Sequence, residues 1–356
     1  MALRNWASFG DKGHVIRRLL ESNRFWVLVN RSLYVRHSNS EVAGKQASDW
    51  VFRRVWPWPW LREGDDSIGA LVVDLGRLGN ATSRITKSLA LAFENEWSTV
   101  VIPRLSHFPA YSSLISRGSV HHRGVHVTFG DEGPSSESSP RYLVRRDFNY
   151  SKGKHDPETS DDVRALVRRI FSGVSPSCEA RPFDLTIHVR SGDIFFRENV
   201  GNWGQPPFAY YEKIIRSSPW ERVQIVCEDD LSPVIQPIAH LCESLSISCS
   251  LQSSSLEEDL GVLVAAKNLV VGRGSFAPAV GLLAPHLKKL FFFEDRFGSP
   301  FLDPTVETIR VVDEAGLYRA QILGGNWINS VSQRELMLSY PLSGIRFEGE
   351  VSDDAE

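Results

Sequence analysis

The pattern of apolar and polar residues predicts buried strands that alternate with amphipathic helices. Residues 68–75 (IGALVVDL) form a nearly continuous apolar run, as a strand buried in a parallel sheet requires. Residues 81–96 then place Ile85 and Leu89 on one helical face, and residues 99–103 (TVVIP) return to a short apolar run. A strand, a helix and a second strand in this order predict a βαβ unit.

The second half of the chain repeats this alternation. Strand-like runs lie at residues 184–190, 222–229, 246–252, 268–272 and 289–295. Helical segments fall between them, at residues 206–218, 232–245, 256–267 and 273–285. Such alternation predicts a parallel sheet covered by helices on both faces. We therefore expect an α/β fold with two Rossmann-type domains that face a central cleft.

Changes in composition suggest where the domains begin and end. Residues 131–160 are rich in Ser, Pro, Gly and charge, so we expect them to be exposed loops in the passage between the two halves. The predicted parts are an N-terminal extension, an N-terminal α/β domain, a C-terminal α/β domain, and a helix end with an acidic tail, at residues 1–60, 61–175, 176–335 and 336–356.

Composition and charge exclude several functional classes. The net charge of −3 gives no basic field that would attract nucleic acid. The four cysteines do not have the spacing of a zinc site. The longest early apolar run, residues 25–29, is far shorter than the roughly 20 residues of a membrane-spanning helix, and no signal peptide is visible. We therefore expect a globular protein that binds no nucleic acid and has no membrane segment in this chain.

Polar residues cluster where three of the predicted strands end. The three segments are GRLGN, HVRSGD and GRGSF, at residues 76–80, 188–193 and 272–276. In open α/β sheets, ligands bind at the carboxyl ends of the strands. The three junctions therefore predict one site.

Each junction offers a way to hold an anion. Gly79 and Asn80 precede a helix whose first N–H groups are free, with Asn80 as the N-cap. Ser275 and Phe276 offer a hydroxyl and backbone N–H groups, and Arg190 offers a forked cation. The alternative is that these are ordinary loop closures, with Arg190 a surface charge and His188 a core histidine.

Taken in chain order, the motifs resemble those of the GDP-fucose-dependent fucosyltransferases. HVRSGD is similar to their HxRxGD motif, and GRLGN with the following helix and strand is similar to the GRFGNQ segment of the protein O-fucosyltransferases. Residues 257–276 resemble the third motif, in which an acid precedes a Ser-Phe pair, and IVCEDD at 225–230 resembles a strand end of the α-1,2 enzymes. The resemblance spans residues 68–290.

The sequence departs from the family at two places. Ala81 stands where the family often has Gln, and Ala277, Pro278 and Ala279 follow the Ser-Phe pair where the α-1,2 enzymes have Ser-Trp-Trp. These departures leave the subfamily, and with it the acceptor, undetermined.

The resemblance implies a GT-B-like fold and an inverting glycosyltransferase. Such an enzyme moves fucose from GDP-fucose to a hydroxyl of a glycan or a protein, with no metal and no cofactor beyond the donor substrate. Residues 61–175 would form the acceptor side and residues 176–335 the nucleotide-sugar-binding domain. The family works in the Golgi or the endoplasmic reticulum, although this sequence shows no anchor.

The resemblance also implies roles for single residues. Arg190 would bind the β-phosphate and stabilise the leaving diphosphate, and His188 would line the pocket. Asp259 would accept hydrogen bonds from the guanine edge. The remaining implied residues are Gly79 and Asn80 at the phosphates or fucose, Ser275 and Phe276 at the diphosphate, Arg77 towards the acceptor, and Asp193 as a residue that fixes the loop.

Alternatives concern the base, the metal and the donor. Asp193, Glu198 and Asp74 are unranked candidates for the base that activates the acceptor hydroxyl. Glu228 and Asp230 would be the ligands if a metal were used. The same fold could use another nucleotide sugar, or bind a sugar nucleotide or glycan without catalysis. A nicotinamide enzyme is disfavoured because neither glycine turn completes G-x-G-x-x-G.

Overall fold

The computed structural model describes most of the chain from residue 68 onwards. The described residues are 68–72, 78–94, 99–102, 113–116, 118–129, 141–145, 159–176, 183–196, 201, 203–294 and 302–349. The predictions for the N-terminal extension, the acidic tail, Asp74, Arg77 and Glu198 lie outside them. No helix in this part of the chain is long and apolar enough to cross a membrane.

The first half forms a five-stranded sheet with the predicted βαβ unit at its centre. Its elements are β1 (Ile68–Val72), α1 (Leu78–Glu94), β2 (Thr99–Ile102), β3 (Val120–His122), β4 (Val125–Phe129) and β5 (Arg141–Arg145). The strand order is β3-β4-β2-β1-β5, and only the β3–β4 hairpin is antiparallel. The predicted unit β1-α1-β2 is confirmed.

One expectation for this half is wrong. Residues 131–160 were expected to be exposed loops, but residues 141–145 form β5, which pairs in parallel with the whole of β1. The apolar core of this strand, Tyr142–Val144, is only three residues long and lies between charged residues. Hydrophobic periodicity does not reveal so short a strand, because tertiary contacts rather than local sequence determine its pairing with β1.

The second half forms a seven-stranded sheet. Between the sheets lies α2 (Asp161–Ile170), and the elements that follow are β6 (Leu185–Val189), α3 (Asp193–Phe196), α4 (Phe208–Arg216), β7 (Arg222–Cys227), α5 (Ile235–Ser244), β8 (Ser248–Gln252), α6 (Leu256–Ala265), β9 (Asn268–Val271), α7 (Phe276–Leu283), β10 (Lys289–Phe293), β11 (Glu307–Asp313), α8 (Leu317–Ile322), α9 (Val331–Ser339) and β12 (Ile345–Phe347). The strand order is β12-β11-β10-β9-β6-β7-β8, and β12 alone runs antiparallel to its neighbour.

Both faces of the second sheet are covered. One apolar cluster packs α4, α5, α8 and α9 on one face, and it buries Trp327, Tyr210 and Tyr318. A second cluster packs α6 and α7 on the other face and continues into α1 and α2 of the first half. The central strands are buried on both faces, which explains why their sequences are continuous apolar runs. The predicted α/β fold with two Rossmann-type sheets is confirmed.

Contacts of α1 and α2 hold the two halves together. The α1 helix packs against α7, and the Arg168 Nε atom in α2 donates a 3.0 Å hydrogen bond to the Leu282 carbonyl near the end of α7. The buried Arg164 side chain donates to the carbonyls of Thr159 and Leu302. The start of α1 is thereby placed beside the start of α7.

Candidate functional site

The order of the strands in the second sheet identifies where a ligand can enter. From β6 the chain builds outwards through β7 and β8, then returns to β9 on the other side of β6 and builds outwards again. Because the connections from β6 and β9 leave in opposite directions, a crevice forms between their carboxyl ends. Two of the predicted polar junctions, residues 188–193 and 272–276, lie at this switch point.

Arg190 follows β6 and reaches the loop that follows β9. Its Nη1 atom lies 3.4 Å from the Arg273 carbonyl, and its Nη2 atom lies 3.9 Å from an Asp193 carboxylate oxygen. Its guanidinium stacks on Trp203, 4.6 Å from the ring centroid. Only 19% of the Arg190 side chain is exposed. The guanidinium is therefore oriented before any ligand arrives, and the interpretation of Arg190 as a free surface charge is wrong.

The loop after β9 leads directly into α7. Gly274 has φ +128°, and a Cβ there would lie 2.5 Å from Arg190 Nη1. Ser275 is the N-cap residue of α7, and its side chain makes no capping hydrogen bond. The first N–H groups of α7, beginning at Phe276, have no partner within the helix. A cation and a helix N-terminus therefore meet at the switch point, which is a combination that favours an anion.

His188 lies on β6 beside the start of α7. Its ring centroid is 4.9 Å from that of Phe276, and its buried Nδ1 atom has no hydrogen-bond partner among the described residues. Burial, assisted by the nearby Arg190 charge, lowers the pKa of His188 to about 4. The imidazole is therefore neutral near pH 7 and contributes a polar atom to the site rather than a charge.

Asp229 fixes the turn that follows Arg190. Its Oδ1 atom accepts hydrogen bonds from the Ser191 hydroxyl and from the backbone N–H groups of Gly192 (3.1 Å) and Leu231 (3.1 Å). Partial burial would raise the pKa of Asp229, but these three hydrogen bonds outweigh it and lower that pKa below its ordinary value. The Asp229 carboxylate therefore has a structural role, because its hydrogen bonds hold the loop after β6 in place.

The turn before α1 is used differently from the prediction. The helix begins at Leu78, so Asn80 lies inside its first turn and the prediction of Asn80 as the N-cap is wrong. Gly79 is buried, and a Cβ there would lie 2.5 Å from the backbone carbonyl of Ser275. The structure brings these two junctions together, as expected, but the contact is backbone packing between the ends of α1 and α7.

Asp259 lies apart from this cluster, in the first turn of α6. Its carboxylate accepts hydrogen bonds from Gln252 Nε2 at 2.9 Å and from the Ser254 N–H at 3.2 Å, and only 8% of the residue is exposed. It lies beyond the end of β8, two strands from β6, which corresponds to about 10 Å across the sheet. Arg190 and Asp259 thus lie at the same edge of the second sheet, where the carboxyl ends of β6 and β8 are located.

Sequence reasoning missed the segment that borders the site, residues 203–207. Gln205 is buried and hydrogen-bonded to Arg273, and Trp203 stacks on Arg190. Neither residue lies in a strand, a glycine turn or a motif of the resemblance. In the sequence, Gln205 is only a polar residue between Gly and Pro, and its burial becomes evident from the fold alone.

Other parts of the described chain offer less. No group of three or more His, Cys, Asp or Glu side chains in it is arranged to hold a metal ion. A cavity of about 350 Å³ lies at the amino ends of β6 and β9, lined by Phe183, Asp184, Trp220, Lys267 and Asn268 among others. In sheets of this kind the carboxyl ends carry the ligand. The switch point is therefore the candidate site.

The similarities of this chain to known proteins are confined to solved structures. No protein-family profile matches the sequence, and no curated protein matches it. Similar solved structures include POFUT1 in complex with GDP, at 12% identity and a TM-score of 0.37, covering 65% of this chain and 99% of that one. At these values, the similarity extends to the fold only.

Two bacterial structures are similar at the same level. The iron-containing dodecameric glycosyltransferase TibC from enterotoxigenic E. coli is 12% identical with a TM-score of 0.32, and the match covers 64% of this chain and 58% of TibC. The E. coli heptosyltransferase WaaC with ADP is 16% identical with a TM-score of 0.31, and the match covers 63% and 71% of the two chains.

Proposed function

We propose that this protein is an inverting glycosyltransferase that moves fucose from GDP-fucose to a hydroxyl of a glycan or a protein. One observation carries the proposal: Arg190, the glycine loop after β9 and the N-terminus of α7 meet at the switch point of the second sheet. The sequence resemblance to GDP-fucose-dependent enzymes supplies the identity of the sugar and the nucleotide.

The chemistry of sugar transfer fits this arrangement. When the bond between the sugar and the diphosphate breaks, negative charge develops on the β-phosphate. The preoriented Arg190 guanidinium and the first N–H groups of α7 stabilise that charge without reorganisation. A neutral His188 adds no second cation there, and its ring packs against Phe276 at the start of α7. The leaving group is thus stabilised by residues of the chain itself.

The guanine end of the donor is proposed to lie over β7 and β8. A nucleotide whose diphosphate lies between β6 and β9 would extend its base towards Asp259. The Asp259 Oδ1 atom already accepts hydrogen bonds from Gln252 Nε2 and from the Ser254 N–H, whereas its Oδ2 atom accepts a longer one from the Ser254 N–H at 3.4 Å. The Oδ2 atom would therefore take the N–H groups of the guanine edge. Gln252 and Ser254 would then hold the carboxylate in orientation.

Asp193 is proposed to orient Arg190 rather than to act as the base. Its carboxylate lies 3.9 Å from the guanidinium it would have to leave, and it begins the short helix α3. Arg77 is proposed to face the acceptor, and Asn80, with Gly79, Ser275 and Phe276, to line the phosphates. We also propose, from the sequence resemblance alone, that the protein acts in the Golgi or the endoplasmic reticulum.

A donor screen tests the proposal. The full chain is incubated with GDP-fucose, GDP-mannose, ADP-heptose and UDP-glucose, and release of nucleoside diphosphate is measured with and without EDTA. Turnover of GDP-fucose that EDTA leaves nearly unchanged is expected. Preference for an adenine or uracil donor would remove the guanine role of Asp259. Activity that is lost with EDTA and restored by Mn²⁺ would instead point to Glu228 and Asp230.

A further inference from the structure

Residues 203–210 hold the end of β9 from the side. The Tyr210 hydroxyl donates a 3.0 Å hydrogen bond to the Val271 carbonyl, at the last residue of the strand. Two residues further, Arg273 is bound through its main chain by Gln205. The course of the loop between β9 and α7 is therefore set by a segment that lies outside every recognised motif.

The Gln205 amide binds both main-chain groups of Arg273. Its Oε1 atom accepts from the Arg273 N–H at 3.0 Å, and its Nε2 atom donates to the Arg273 carbonyl at 3.3 Å and to the Trp203 carbonyl at 2.9 Å. The same Arg273 carbonyl accepts from Arg190 Nη1 at 3.4 Å. One carbonyl thus links the amide, the glycine loop and the guanidinium.

The core of the second half holds Gln205 in place. Its side chain is 2% exposed, and its own carbonyl accepts a 2.7 Å hydrogen bond from the fully buried Tyr318 hydroxyl. The preceding Gly204 lies so close to α8 that a Cβ there would be 2.3 Å from the Ile322 carbonyl. Gln205 is therefore a rigid support rather than a loop residue that adapts to its neighbours.

We propose that Gln205 is the positioning residue for the diphosphate site. By fixing both peptide units of Arg273, it sets the direction of the N–H groups that lead into α7 and the place of the carbonyl that orients Arg190. This inference rests on the proposed function, since it assumes that the switch point holds the β-phosphate. It concerns the diphosphate and predicts little effect on a ligand that lacks the second phosphate.

Calorimetry with GDP and GMP tests the inference, with ADP and AMP as the parallel pair. Gln205→Met keeps the length of the side chain but removes both hydrogen-bonding functions. We expect GDP to bind about tenfold more weakly, because the loop that presents its N–H groups to the diphosphate is no longer held in place, and GMP to change by less than about twofold. Gln224→Met is the matched control, because Gln224 is equally buried but lies within β7.

Gln205→Glu gives a second measure that does not depend on Gln205→Met folding. An ionised Glu accepts from the Arg273 N–H but cannot donate, whereas a protonated Glu does both. The GDP affinity of this variant, relative to wild type at the same pH, should rise as the pH falls from 7.5 towards the ordinary Glu pKa of about 4.3.

Three results would overturn the inference. They are a folded Gln205→Met protein that binds GDP like wild type, an equal weakening of GDP and GMP, and a pH-independent affinity ratio for Gln205→Glu. Wild-type protein that binds neither GDP nor ADP would overturn the proposed function together with this inference. If the wild type binds GDP and the Gln205 variants bind it with the same affinity, only the role of Gln205 is overturned.

Discussion

The glycines at the starts of α1 and α7, Gly79 and Gly274, lie in similar sequences and have different physical roles. Both sequences combine Gly and Arg ahead of a helix, as GRLGN and GRGSF, and both suggest an anion site at a helix N-terminus. In the structure Gly79 is a packing residue, because its missing Cβ lets α1 lie against the backbone of Ser275. Gly274 is a conformational residue, with φ +128° and the Arg190 guanidinium against it.

This difference shows what a glycine turn alone does not establish. Gly79, in the first turn of α1, makes room for the start of α7, and the loop before α7 presents its N–H groups beside the Arg190 guanidinium. The two glycines therefore act together, because the packing at Gly79 positions the start of α7 and the loop that contains Gly274. A substitution at Gly79 should affect mainly the fold, and a substitution at Gly274 should affect mainly the ligand.

The largest effect on the stability of the fold is expected for Gly79→Ala. The new methyl group would meet backbone atoms of Ser275 and Phe276 at 2.5 to 2.7 Å, and backbone cannot move aside cheaply. Although Ala is the better helix former by about 1 kcal/mol, overpacking should destabilise the protein by at least about 2 kcal/mol in urea unfolding. Gly118→Ala is the control, because its Cβ would meet no atom within 4 Å. Equal stability of the two variants would contradict the packing role.

Arg190→Ala should abolish most of the turnover and leave the fold intact. The loss of a preoriented charge at the leaving diphosphate is worth roughly 3 kcal/mol, or about 10²-fold in rate. Arg190→Lys keeps the charge but loses the fork, and about a tenfold loss is expected. Initial rates of donor cleavage measure both variants, with the half-exposed Arg216→Lys as control. Wild-type rates in both would return Arg190 to the status of a structural residue.

The sequence predicted five of the seven strands of the second sheet, β6 to β10, and it missed β11 and β12. The central strands were detectable because a strand that is buried on both faces has a continuous apolar sequence. The sequence also predicted that the segments at residues 188–193 and 272–276 would lie together, since both follow strands of one parallel sheet, and Arg190 does contact the loop after β9. The start of α1 was misplaced by three residues, because Leu78 and Gly79 carry no helix-start signal stronger than that of Asn80.

The supports of the site could not be predicted. Gln205 depends on Tyr318, more than a hundred residues away, and on the close approach of Gly204 to Ile322. Such contacts leave no periodicity and no local motif, so only the folded chain shows them. β5 was missed for a related reason, since a short strand between charges is defined by its partner.

A smaller effect on stability and a clear effect on binding are expected for Gly274→Ala. The new methyl group would displace the flexible end of Arg190 rather than backbone, and the positive φ adds strain of about 1 to 2 kcal/mol. GDP affinity should fall about tenfold by calorimetry. Gly316→Ala is the control, because Gly316 has φ +72° with no atom near its Cβ position. If both variants bind GDP equally well, the contact with Arg190 has no role in the site.

The smallest effect concerns His188, which packs its ring on the first residue of α7. Its pKa is lowered to about 4 by burial and by Arg190, whereas the unfolded chain binds the same proton near pH 6.5. The unfolded state therefore binds more protons between these values, so stability should decrease as the pH falls from about 6.5 to 4. His188→Gln should flatten this part of the stability curve in urea unfolding, and the exposed His240→Gln should not. Because Arg190 contributes to the shift, Arg190→Ala should flatten the curve in part. If the stability of His188→Gln decreases between pH 6.5 and 4 as it does in the wild type, the His188 imidazole is solvated and its pKa is not lowered by burial.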